Sequence, residues 1–166
     1  MKEIIDKISS YNLFNYLFPG IVFVILISQF TSYDLYQENN LFGVFLYYFI
    51  GLVISRFGSL IIEPILQKSS FVKFAKYSDY IHASDKDKKV ELFSEINNMY
   101  RTLISLLILT LLAKLYEIIA IYFKFSQVLS NVLLIITLLI IFIFSYRKQT
   151  KYVVKRVDSR NKNKSV

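Results

Sequence analysis

The sequence predicts an all-α, polytopic membrane protein, with four transmembrane helices and cytoplasmic helical extensions of spans 3 and 4. Three observations predict it. Four long apolar runs occur at about 13–30, 41–62, 102–123 and 128–146. Each approaches the roughly 20 residues that cross a ~30 Å hydrocarbon core at ~1.5 Å per helical residue. The composition is 55% hydrophobic with a mean hydropathy of +0.46, too apolar for an ordinary soluble domain of 166 residues. The Lys and Arg outside the runs fall almost entirely on one side. A bilayer forbids most other folds, because every backbone N–H and C=O inside it must pair internally. The chain therefore reads as a single transmembrane domain.

The charges orient it. Lys2 and Lys7 precede the first run, and the 31–40 connection has no Lys or Arg. The 67–101 segment carries seven, the short turn before the fourth run carries Lys124, and the basic tail 147–166 carries eight. Seventeen cations thus lie on one side against one on the other. The positive-inside rule makes both termini and the 67–101 segment cytoplasmic, in a bacterial inner membrane. Topology accounts for the net charge of +8, and no nucleic-acid partner is expected. The mixed-charge start and the absence of a small-residue cleavage box argue that the first run stays as a span rather than leaving as a signal peptide.

In chain order, the first span follows Ser9 or Ser10 as a cap and meets Pro19-Gly20 early. Two readings stand: a kink at Pro19, or an interfacial amphipathic helix over Met1–Phe18 that ends there. In the second span Gly51, Ser55 and Ser59 recur at i, i+4, i+8. This small-residue face suits close helix packing in lipid, within one subunit or in a homo-oligomer. Glu63-Pro64 is expected to end that span. Ser69–Ala83 reads as a short amphipathic surface helix, with aromatic residues interleaved by Lys73 and Lys76. A capping box over Ser84–Asp87 then starts one long helix that runs into the third span.

A tight turn joins spans three and four, which predicts antiparallel neighbours. Asp87, Glu91 and Glu95 on one projection and Arg147, Lys151 and Lys155 on the other then form a charge zipper. The competing reading gives the basic stripe to anionic lipid headgroups. Within the spans, Arg56, Glu63, Lys114 and Glu117 are costly to insert and demand partners. Lys114 and Glu117 lie three residues apart and can pair. Arg56 and Glu63, on one face, form a polar cluster with Asn98 or Arg101. That cluster either lines a gated water path or fixes helix register.

The absence of cysteine excludes disulfides and thiolate chemistry. His82 is the single histidine and has no metal-ligand spacing around it, and no phosphate-binding or nucleophile motif occurs. No enzymatic activity, metal or cofactor is expected.

The block Tyr11-Asn12-Leu13-Phe14-Asn15-Tyr16-Leu17-Phe18-Pro19-Gly20 and the block from Lys89 to Thr102 resemble small bacterial four-span membrane proteins associated with antiphage defence. Those include membrane accessories of CRISPR and nucleotide-signalling systems. The resemblance implies a biological context rather than a mechanism. The reading for this chain is an oligomeric membrane effector of antiphage defence that perturbs the bilayer or forms a pore. The alternative is a membrane anchor or sensor that recruits a cytosolic partner protein through Ala83–Arg101 and Arg147–Arg160.

Overall fold

The computed structural model describes residues 12–162. Of the described residues 85% are helical, no strand occurs among them, and four of their helices are long and apolar enough to cross a membrane. We number the helices α1 (Leu13–Phe30), α2 (Asn40–Lys68), α3 (Tyr77–Lys86), α4 (Lys89–Tyr122) and α5 (Gln127–Lys162).

Both prolines sit inside continuous helix, each two residues beyond a π-helical turn. In α1 the turn is Leu13–Leu17 before Pro19, and in α2 it is Gly58–Ile62 before Pro64. Proline lacks an N–H and its ring crowds the carbonyl four residues back, so a wider turn accommodates it where a regular one would clash. Pro19 therefore does not end a helix, which corrects the interfacial-helix reading as far as the described residues reach; Ser9 and Ser10 lie outside them. Pro64 does not end the second span either, since α2 continues to Lys68.

α2 closes on Ser70, whose φ of 60° puts a non-glycine residue in the left-handed region. Ser70 N–H donates to Gln67 and Phe71 N–H to Leu66, the paired bonds of a Schellman ending. Lys124 (φ 52°) repeats the motif at the end of α4, through Lys124 to Ile121 and Phe125 to Ala120. The sequence holds only four glycines, so neither stop is announced by the usual residue.

The surface helix starts later than expected. Residues 71–76 are irregular, with Phe71 and Phe74 exposed, and α3 begins at Tyr77. Ser84 lies inside α3, bonded to Ile81, so it is not a cap. Asp87 instead accepts the Lys89 N–H just ahead of α4, which then runs unbroken for 34 residues. At about 1.5 Å per residue it spans roughly 50 Å, so α4 extends well beyond one bilayer thickness.

The core is a three-helix unit of α1, α2 and α4, with α5 set against α2 and α3. A Cβ on Gly20 would run into the Tyr47 carbonyl, and one on Gly51 into the Tyr16 carbonyl, so α1 and α2 touch backbone to backbone. Across the α2–α4 contact, the Ser55 and Thr102 hydroxyl oxygens lie 3.4 Å apart, and Gly58 packs on Ser105 and Arg101. Thr102, Ser105 and Thr110 are buried with their hydroxyls bonded to carbonyls one turn back, which leaves a smooth face for packing.

α4 and α5 do not pack on each other beyond their shared turn, which corrects the expectation that they are close antiparallel neighbours. α5 packs instead on α2, where Phe142 meets Phe49 at 5.9 Å between ring centroids.

Filling the helix crossing should break it. Gly51→Val is expected to cost about 1–3 kcal/mol by overpacking, read as a lowered unfolding midpoint in mild detergent. Gly43→Ala meets ordinary van der Waals neighbours at 3.4–3.6 Å, and the better helix former should hold or raise the same midpoint.

Candidate functional site

The predicted polar residues separate into clusters at the two ends of the bundle. At the end carrying the 31–39 loop, Lys114 Nζ pairs with Glu117 Oε2 at 2.6 Å, as their spacing predicts. Glu117 is 5% exposed, and its other oxygen accepts the Ser32 N–H at 2.6 Å. One ion pair on α4 thereby pins the start of the α1–α2 loop.

At the opposite, basic end the node is Glu63. Its carboxylate pairs with Arg101 of α4 through Oε2, and with Lys148 of α5 at 2.9 Å through Oε1. One acid on α2 thus joins the helix on either side of it. Lys148 completes its three donors with the Ser59 carbonyl at 2.6 Å and the Ser59 hydroxyl at 2.8 Å. It also lies 5.8 Å from the centroid of the Tyr152 ring. Burial raises the Tyr152 phenol above its ordinary range; the nearby Glu63 adds to this and Arg101 opposes it.

The π-turn explains why this node differs from the expected one. Seven residues of regular helix would place Arg56 and Glu63 on one face. A π-turn between them inserts the equivalent of one extra residue, rotating everything beyond it by roughly 100°. Glu63 therefore turns to Arg101 and Lys148, while Arg56 Nη2 donates to the Tyr16 hydroxyl of α1 at 3.2 Å. Asn98 enters through its main-chain carbonyl, which accepts from Thr102.

Gly51, Ser55 and Ser59 do pack helices, but inside the subunit. Gly51 is taken by α1, Ser55 by α4 and Ser59 by Lys148. A homo-oligomer would have to use another surface.

The zipper is not formed. None of Asp87, Glu91 and Glu95 is ion-paired to Arg147, Lys151 or Lys155; at this end both α4 and α5 contact α3. The acid–base contact made there is Asp85 of α3 with Arg160 of α5 at 2.8 Å. Tyr77 and Tyr152 add a ring contact at 6.1 Å, and between α3 and α5 lies a groove of about 730 Å³.

Sequence reasoning missed Lys148, Tyr16, Ser32 and Arg160. Lys148 sits one residue off the Arg147/Lys151/Lys155 stripe, but Ser145, Lys148 and Tyr152 recur at i, i+3, i+7, a face that could have been read. Comparison with family models, with curated proteins and with solved structures returned no match.

Two substitutions test the node. Glu63→Gln strands two cations that are 17% and 25% exposed. The loss should fall between that of a surface pair and a buried one, about 1–3 kcal/mol, measured as unfolding in mild detergent. Lys148→Met should free α5 from α2. With no native cysteine to interfere, cysteines at 49 and 142 report this as a several-fold drop in cross-linking by a short bifunctional maleimide.

Proposed function

We propose that the chain is a non-enzymatic protein of the bacterial inner membrane that anchors and docks a cytosolic partner protein. Both termini and the α3–α5 projection then face the cytoplasm. The observation that carries the reading is the way α3 is strapped to α5 by Asp85–Arg160 and Tyr77–Tyr152. It makes a shaped surface from the parts of the chain that extend past the apolar runs. Tyr77, Asp79, His82, Lys86, Lys155 and Asp158 line the resulting groove, presenting both signs of charge and an aromatic wall. That mixture suits a folded protein or peptide better than a polyanion, whose binding rests on uniform positive charge. The intramembrane acids support the same reading. Glu63 and Glu117 are each paired within the subunit, which suits a scaffold more than an ion path.

One observation favours a second reading, a homo-oligomeric membrane effector. The most apolar window of α5 is only 6% buried, so a whole span is left to lipid or to another copy. The antiphage setting expected from the resemblance suits both readings.

The Lys155→Glu/Asp158→Lys double variant separates them. Under the docking reading a soluble protein co-purifies with the full-length chain, and the variant loses it at least about tenfold, the weight of one or two charge-assisted contacts. Under the effector reading, expression depolarises the membrane in wild type and variant alike, and cross-linking gives an oligomer ladder. A chain that is monomeric, leaves the potential unchanged and retains no partner would defeat both.

A further inference from the structure

Charge does not balance at the basic end of the bundle. Arg101 and Lys148 share one carboxylate, that of Glu63, while Arg56, which lines a crevice with Lys148, has no carboxylate partner among the described residues. Two positive charges are left uncompensated in a poorly solvated place. Isolated charges there are expensive, so a counter-charge is strongly favoured.

The unused donors show where that counter-charge belongs. Arg56 Nε is buried and has no hydrogen-bond partner, although the same guanidinium reaches Tyr16 through Nη2. The Ser145 hydroxyl is also buried and unpartnered, on a residue only 9% exposed. Both residues line one crevice between α2 and α5, together with Ser59, Lys148 and Gln149. It holds about 20 Å³, room for a single water-sized group. Buried polar atoms in proteins are almost always satisfied, so two unpartnered donors on residues that line one small polar crevice point to a receptor for an acceptor atom.

We infer that this crevice is an anion site that seats one phosphate oxygen between Arg56 Nε and Ser145 Oγ, with Lys148 supplying charge. Lys148 contributes by attraction alone, since its three donors are already placed on Ser59 and Glu63. The small volume admits one oxygen and keeps the remainder of the phosphate outside. A phospholipid headgroup fits this geometry, because Arg56 lies about 10 Å along α2 from Glu63 and long basic side chains reach toward the headgroup layer. Inorganic phosphate offers the same oxygen from the aqueous side.

The test uses the full-length protein in nanodiscs of phosphatidylcholine, of phosphatidylcholine with phosphatidylglycerol, and of phosphatidylcholine with added inorganic phosphate. Native mass spectrometry reads retained lipid, and the thermal midpoint reads phosphate binding. Wild type should retain one phosphatidylglycerol, with Arg56→Gln and Ser145→Ala each weakening retention by about tenfold, as expected for a lost charge-assisted hydrogen bond. If phosphate raises the midpoint of wild type but of neither variant, and no lipid is retained, the site stands and its ligand is the soluble ion. Ser145→Ala keeps the inference open to refutation even if Arg56→Gln fails to fold. It removes a hydroxyl with no internal partner, so a purely structural role predicts an unchanged or raised midpoint and unchanged binding. Wild type without preference for either anion, or a Ser145→Ala variant that binds like wild type, would overturn it.

Discussion

The arrangement of the basic end depends on one carbonyl, that of Ser59. In a regular helix it would accept the Glu63 N–H. In α2 that N–H goes instead to Gly58, because the π-turn ahead of Pro64 lengthens the step by one residue. A carbonyl freed at membrane depth has no water to turn to, and leaving it unpaired costs several kcal/mol. Lys148 answers it from the neighbouring helix at 2.6 Å. The same rotation turns Glu63 outward, so one lysine meets the freed carbonyl, the Ser59 hydroxyl and the carboxylate together. A proline in one helix thus determines where another helix docks.

This chain of causes also marks what was legible in the sequence. The four spans were legible because length and hydrophobicity alone decide them, and Leu13–Phe30 matches its apolar run end to end. The Lys114–Glu117 pair was legible because it lies within a single regular helix, where spacing of three determines contact. The partners of Glu63 were not. Arg56 and Glu63 share a face only if every turn between them holds 3.6 residues, and a π-turn leaves no signature that hydrophobic periodicity can register. The charge zipper failed for a different reason. Chain connectivity predicts that α4 and α5 pack together, but side packing chooses α2 and α3 as the partners of α5, and periodicity cannot register that choice. The stops at Ser70 and Lys124 escaped notice because residues other than glycine hold the left-handed position.

Small residues carry the packing of the other three helices. In lipid, apolar contact between helices gains little over contact with acyl chains, so close approach and small polar groups carry the association. α1 and α2 touch through Gly20 and Gly51, and α2 and α4 through Ser55, Gly58, Thr102 and Ser105. These positions are spent inside the subunit. Any assembly of several copies must therefore rely on larger side chains, and α5 exposes more of them than any other helix.

α5 contrasts with that core. Its apolar window is 6% buried against 39% for the α1 run, so packing does little to fix its position. What holds it is polar and sits at one end: Lys148 on α2, Arg160 on α3, and the Tyr77–Tyr152 contact between them. Phe49–Phe142 is the ring contact deeper in the span. A helix held this way moves with its clips. Whatever engages the α3–α5 groove acts on Lys155 and Asp158, and Lys155 lies two turns from Lys148 on the same helix. A surface at which a partner could bind is therefore joined by one rigid element to the lysine that satisfies Ser59. The coupling needs no pathway through the core, because α5 has little core to pass through.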